Sequence, residues 1–209
     1  MRFEIEDVNQ NYHWPDESFD MVHARDINLA VRHLPFQINM HLVGSEVLEY
    51  RDAMEEMTRV LRPGGLFISI EWSNFVTLHP VIRADIRTHV PASCRFYDAI
   101  NEVLRSNRDP HPIEIDVALL LSNCERFVDI TATTHYVPIG SWPTDTALRW
   151  IGEINLMAQQ RYADSVRPLL LDASWEENDV ERLVTEYVNE LGSVDGMATI
   201  CYTVYASKI

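Results

Sequence analysis

Tyr50 to Trp72 reads YRDAMEEMTRVLRPGGLFISIEW, and its hydrophobic period changes part-way along. From Glu46 to Leu61 the apolar residues Val47, Tyr50, Met54, Met57 and Leu61 recur every three or four positions, the stripe of a helix facing a core. Ser45 fits the N-cap, Glu46 and Glu49 sit where the helix dipole favours anions, and Arg59 and Arg62 sit at the opposite end. Pro63-Gly64-Gly65 predicts the stop, and Leu66 to Ile70 (LFISI) then predicts a buried strand. Its last residues, Ile70, Glu71 and Trp72, fall at the carboxyl end, where open α/β sheets bind ligands.

That junction points to a Rossmann-like α/β protein. No glycine precedes Gly44, so nothing upstream can be the glycine-rich loop on which such folds hold a nucleotide-derived cofactor. The chain therefore reads as the later part of a cofactor-binding domain.

Outward from this centre, Phe3 to Val8 alternates in the manner of an edge strand with one buried face. Asn9 to Ser18 is turn-rich, and Phe19 to Ala24 (FDMVHA) predicts a second short strand. Residues 74–126 read as helical and irregular, with helices over Tyr97 to Arg105 and Ile115 to Phe127. Phe127 to Ile139 and Ala198 to Ala206 are rich in β-branched and aromatic residues, and predict the last two strands, paired antiparallel. Between them lie helices over Asp145 to Tyr162 and Glu176 to Leu191. Ser174 with Glu177 fits a capping box for the second, and Gly192 fits its C′ position. No repeat or linker divides residues 1–209, which read as one domain.

Composition narrows the function classes. A net charge of −15 disfavours a nucleic-acid surface or an anchor on anionic membrane, since both need clustered Lys and Arg. Three cysteines, far apart, give neither a disulfide framework nor a zinc ligand set, and the eight histidines form no HxxxH pair. No apolar run approaches the roughly 20 residues of a membrane span, and the first ten residues lack a basic flank and apolar core. A cytoplasmic or nuclear protein without metal is expected.

The order FDMVHAR, then RVLRPGGLFISIE, resembles the second half of class I S-adenosylmethionine-dependent methyltransferases. More narrowly, FVDITATTHYVPIGSWPTDTALRWIG is similar to fungal methyltransferases related to the regulator of secondary metabolism. The resemblance runs from about Phe3 to Lys208. It implies an incomplete Rossmann-like methyltransferase sheet, mostly parallel with an antiparallel last strand and helical insertions. Phe3 to Val8 then matches the family's third strand, so two strand-helix units of the family have no counterpart here, and with them the glycine-rich cofactor loop. The family's strand order also implies an open hydrogen-bonding edge, which either the first strand or another chain, including a second copy, would fill.

The same resemblance implies roles for individual residues. Asp7 and Val8 match the position that meets the adenine of S-adenosylmethionine, the carboxylate accepting from the exocyclic amine; an exposed Asp ending an edge strand is the alternative. His23, Ala24 and Arg25 match the segment beside the sulfonium and the substrate, with His23 as a proton acceptor and Arg25 as a carboxylate clamp. A strand-end histidine and a solvated arginine would look the same. Glu71 is a candidate base and Trp72 a candidate wall of the acceptor site, although Trp72 also reads as core. Trp142, Trp150 and Met157 match the substrate-side insertion. The implied activity is methyl transfer to a small-molecule or protein acceptor, in the setting of secondary metabolism. The alternative is a catalytically inactive relative that acts as a binding or regulatory partner.

Overall fold

The computed structural model describes residues 10–27, 45–106 and 116–209. Among the described residues, four strands and seven helices follow one another as β1 (Phe19–Arg25), α1 (Ser45–Val60), β2 (Leu61–Leu78), α2 (Ile86–His89), α3 (Pro91–Ser106), α4 (Val117–Asn123), β3 (Phe127–Pro138), α5 (Thr146–Ser165), α6 (Arg167–Asp172), α7 (Glu177–Ser193) and β4 (Met197–Lys208). The strands form one sheet in the order β1-β2-β4-β3. The class is α/β, as the Tyr50 to Trp72 junction predicts. Two compact units are distinguished: Met1–Glu71 with Glu114–Thr134 and Tyr202–Ile209, and Trp72–Ile113 with His135–Cys201.

In the first unit β1 runs parallel to β2, with His23 opposite Ile68, Ala24 opposite Ser69 and Arg25 opposite Ile70. A parallel pair needs a crossover, and α1 is the helix within it. Its Ala53, Met54 and Met57 pack with Leu61 and Phe67 of β2, Val117 and Leu121 of α4, Phe127, Val204 and Ala206. The rings of Phe67 and Phe127 meet at 5.8 Å.

The Pro-Gly-Gly turn lies inside the span of β2 and does not precede it. Between the pairs Phe19/Leu61 and Met21/Leu66, β2 advances five residues while β1 advances two, so Arg62 to Gly65 bulges outward. Gly64 takes φ +75° there, and a Cβ on Gly65 would lie 2.6 Å from Leu61 Cδ1. The helix has already ended at Val60. Lys208 Nζ donates to the carbonyls of Thr58 (2.8 Å) and Leu61 (2.5 Å), supplying the end of α1 with a cap from β4.

The second unit is built on α3, α5, α6 and α7 around Phe96, Ile100, Leu170, Val184 and Tyr187. Phe96 and Tyr187 stack at 4.0 Å. The helix α3 begins six residues before the expected Tyr97, because Glu190 of α7 accepts from the backbone N–H groups of Ala92 (3.0 Å) and Ser93 (2.6 Å). A carboxylate from another helix thus caps it.

Several local expectations are corrected. Ser174 is not an N-cap: it sits at φ +66°, Glu176 takes the cap position of α7, and no side chain bonds there. The helix passes through Gly192 to Ser193 and does not stop at it. The helix expected to Phe127 ends at Asn123, followed by Glu125 at φ +52°. The short helices α2 and α6 have too few residues to show a period.

The last two strands are antiparallel. Ile139 N–H donates to Met197 O within the second unit, and Ile209 N–H to Arg126 O within the first, so each strand's start meets the other's end. His79 N–H donates to Gly196 O, which gives β4 the same antiparallel relation to β2. No helix of the described residues is long and apolar enough to cross a membrane, and none of their His, Cys, Asp and Glu form a group of three that could hold a metal.

Candidate functional site at the carboxyl end of β1

Within the first unit, β1 ends at Arg25 and turns at Asp26, whose φ of +53° is one of the few left-handed conformations an aspartate tolerates. Asp26 N–H donates to Ile70 O at 3.0 Å. The next amide, Ile27 N–H, donates to Glu71 Oε1 at 3.3 Å. The parallel register thus brings Arg25, Asp26 and Ile27 beside Ile70 and Glu71, and Glu71 is 5% exposed.

Side chains alternate along a strand, so the register also decides which candidates can meet. Ala24 and Ser69 share one face and are buried; His23 and Arg25 point to the other, where they are exposed. Glu71 lies two residues beyond Ser69 and shares its face. His23 and Glu71, the two proton-transfer candidates, therefore occupy opposite faces and do not converge. Arg25 pairs with Asp26 (Nε to Oδ2, 3.7 Å), both more than half exposed, a contact of small energetic weight.

A cavity of about 420 Å³ opens on the Glu71 face, between the β2, β3 and β4 segments of this unit and the start of α4. Ser69 and Glu71 line it with Asp116, Thr133, Thr134 and Tyr202. Ser69 is 1% exposed, and its hydroxyl has no hydrogen-bond partner among the described residues. Asp116 caps α4, Oδ1 accepting from Leu119 N–H at 3.0 Å. The sequence reading took LFISI as uniformly buried strand and passed over its serine. A hydroxyl in an otherwise apolar run was the available signal; the threonines arrive through strand pairing alone.

The other candidates are not among the residues that line this cavity. Asp7 and Val8, with the strand Phe3 to Val8, lie outside the described residues, as do the side chains of 45–51 that include Ser45. Trp72 and Trp142 belong to the second unit, where both are half-buried. Trp142 Nε1 donates to Met197 O at 3.1 Å and its ring meets His79 at 5.4 Å, so it is held as a structural tie. Trp150 and Met157 are 65% and 53% exposed on α5 and are not core.

No family model and no curated protein sequence matches the chain. Among solved structures, it is similar to phosphoethanolamine N-methyltransferase 2 of Haemonchus contortus, bound to phosphomonomethylethanolamine and S-adenosylhomocysteine, at 14% identity and TM-score 0.41 over 94% of this chain. It spans 35% of that enzyme's length. It is also similar to the YcgJ protein of Bacillus subtilis at 14% identity and TM-score 0.40, covering 100% of this chain and 71% of that one. A third similarity is to a loganic acid methyltransferase with S-adenosylhomocysteine, at 13% identity and TM-score 0.38, covering 94% and 63%.

Proposed function

We propose that this chain is a member of the S-adenosylmethionine-dependent methyltransferases, transferring a methyl group to a small-molecule or protein acceptor. The observation that carries the reading is the β1-α1-β2 unit: a parallel pair joined through a helix, in which the carboxyl end of β1 brings Arg25 to Ile27 against Ile70 and Glu71 of β2. Open α/β sheets bind their ligands at that edge. The sequence resemblance adds the finer expectation of a fungal enzyme of secondary metabolism.

The fit of the cofactor to these residues is partial. Arg25, Asp26 and the backbone after β1 offer polar groups at the correct edge, and Asp7 and Val8 would meet the adenine. The 209 residues contain no Gly-x-Gly turn between a strand and a helix to cradle the methionyl part. A second reading, a binding or regulatory relative without catalysis, is favoured by the opposite facing of His23 and Glu71.

Calorimetric titration of the 209-residue chain with S-adenosylhomocysteine separates the two. Saturable binding, weakened about tenfold or more by Asp7→Ala through loss of a charge-assisted hydrogen bond, supports the enzyme. A folded chain that takes up none supports the second reading.

A further inference from the structure

The helix α5 has two faces, and among the described residues one of them is packed. Gly152, Asn155 and Ala163 are buried, with Gly152 O accepting from Gly140 N–H at 2.8 Å and Asn155 Nδ2 donating to Pro138 O at 2.9 Å, all within the second unit. On the opposite side Ala147, Trp150, Ile151, Ile154, Met157 and Ala158 share one helical stripe, and all are exposed, Trp150 at 65% and Met157 at 53%. Arg161 extends the stripe by a turn, and no acid interrupts it in a chain with 32 Asp and Glu. Trp, Met and Arg are enriched, and acids depleted, at the centres of protein interfaces.

The spacing fits a second copy of the same helix. Set antiparallel about a two-fold axis at Ile154, near the middle of α5, Trp150 comes level with Ala158 of the partner subunit, Ile151 with Met157 of the partner subunit and Ala147 with Arg161 of the partner subunit. Ile154, Met157, Ala158 and Arg161 stand at i, i+3, i+4 and i+7, the four corners of a hole on a helix surface. The knob level with that hole is the partner's Trp150. Ala158, the smallest corner, leaves room for the indole, and the Arg161 guanidinium can lie over the ring face. The apolar surface exposed along the stripe is on the order of 500 Å² per copy, so the pair covers on the order of 1,000 Å², the size a specific interface requires.

We propose that two copies of this chain associate through antiparallel α5 helices, Trp150 of each copy filling the hole bounded by Ile154, Met157, Ala158 and Arg161 of the partner subunit. The two-fold axis makes every favourable pair occur twice, so a single short stripe suffices. The absence of acids from the stripe lets two chains of net charge −15 meet there without like charge at the contact. The pairing needs neither a cofactor nor a methyl acceptor, and holds whether or not the chain transfers methyl groups.

Sedimentation of the full chain from about 1 to about 200 µM tests it, with no S-adenosyl compound present. The expected result is a reversible equilibrium between a 24.2 kDa monomer and its dimer. Ile154→Arg sets two like charges against each other on the axis and should weaken the dimer at least about tenfold, with circular dichroism unchanged. Ala158→Trp adds apolar surface at an exposed position, and so would strengthen non-specific association; in the proposed pairing it fills the space of the partner's Trp150 and should weaken the dimer. This second variant decides the matter should Ile154→Arg unfold. In a Cys124→Ser background, which removes the exposed native thiol, a short bismaleimide should join Ile154→Cys to itself. It should join Ala147→Cys to Arg161→Cys only when the two proteins are mixed. A chain that stays monomeric throughout, its stripe taken by another segment or a different protein, overturns the proposal. So does a dimer that Ala158→Trp strengthens or a folded Ile154→Arg leaves unchanged, or self-cross-linking of Ala147→Cys. Failure to bind S-adenosylhomocysteine would overturn the methyl-transfer reading and leave these results unchanged.

Discussion

Tyr97 and Tyr187 donate to one and the same oxygen. Tyr97 Oη reaches Gln159 Oε1 at 3.0 Å and Tyr187 Oη reaches it at 2.9 Å, joining α3, α5 and α7 in the core of the second unit. Gln159 Nε2 lies 3.5 Å from Asn155 Oδ1, and Asn155 Nδ2 donates to Pro138 O (2.9 Å) and Thr199 Oγ1 (3.0 Å). A polar thread thus runs through an aromatic core. Gln159→Leu leaves two buried hydroxyls without their acceptor, and should cost about 2–4 kcal/mol. The Tyr97→Phe/Gln159→Leu/Tyr187→Phe triple variant should recover much of that, and urea titration of both proteins checks the difference.

The same tyrosines set an alkaline limit. Burial pushes the Tyr97, Tyr162 and Tyr187 phenols above their ordinary value of 10.0, since the phenolate is disfavoured away from water. A group whose folded pKa is raised contributes stability that is complete below its unfolded value and is lost as pH rises toward the folded one. Stability should therefore fall above about pH 10, with tyrosinate absorbance and loss of helical circular dichroism appearing together. Ionisation of all the tyrosines while the helical signal persists would contradict this.

At the acid side the group to watch is Glu56. Hydrogen bonds from the Arg59 guanidinium hold its carboxyl below 4.5, helped by Tyr12 N–H at 3.0 Å. Arg59 also donates to Tyr12 O and Trp14 O, so the pair fastens the segment before β1 onto α1. With a depressed folded pKa, the contribution is present above the unfolded value and lost as pH falls through the folded one. Hydrogen exchange of the Tyr12 amide should accelerate on acidification below about pH 4.5, relative to the intrinsic rate, and Glu56→Gln should abolish that acid step.

Two backbones touch at Gly152. A Cβ there would stand 2.0 Å from Gly140 O, and Gly140 N–H donates to Gly152 O at 2.8 Å. Gly152→Ala cannot be accommodated by rotating a side chain, because the obstacle is backbone. We expect a loss of about 2–4 kcal/mol, at the upper end for overpacking. Gly192→Ala, with open space around the position, should be neutral or slightly stabilising. Chemical denaturation of both variants gives the comparison.

Glu190 offers a test of the cap on α3. Glu190→Ala removes the acceptor for both Ala92 and Ser93 N–H and should cost about 1–2 kcal/mol, as loss of an N-cap does. Glu190→Gln should retain part of it. Thermal unfolding of the three proteins orders them.

What the sequence made legible follows physical range. The stripe of α1, the strand FDMVHA, the strand-rich segments from Phe127 and Ala198 and the helices after Asp145 and Glu176 are set by local periodicity and appear within a few residues of expectation. The start of α3 was hidden because its cap comes from Glu190, 98 residues away from Ala92. The full length of β2 was hidden for a related reason: past Trp72 the segment SNFVTL runs in polar and apolar pairs without a period of two, and only sheet pairing makes it strand. At the site, the junction predicts a strand ending at Trp72, whereas β2 runs on to Leu78, so it is the end of β1 and not of β2 that lies beside Glu71. The separation of Glu71 from His23 depends on the parity of the β1/β2 register, which a single chain's composition does not encode.

The placement of β4 bears on the order in which this protein can assemble. β4, the last of the four described strands, occupies an inner position of the sheet, and its Lys208 closes a helix completed 148 positions earlier, at Val60. While the ribosome is still producing α5 to α7, β2 and β3 lack their shared neighbour and α1 lacks its terminal donor. Local helices can form as they emerge, but the sheet must wait for β4 to emerge, and until then the facing edges of β2 and β3 stand open to chaperones or to one another on neighbouring polysomes.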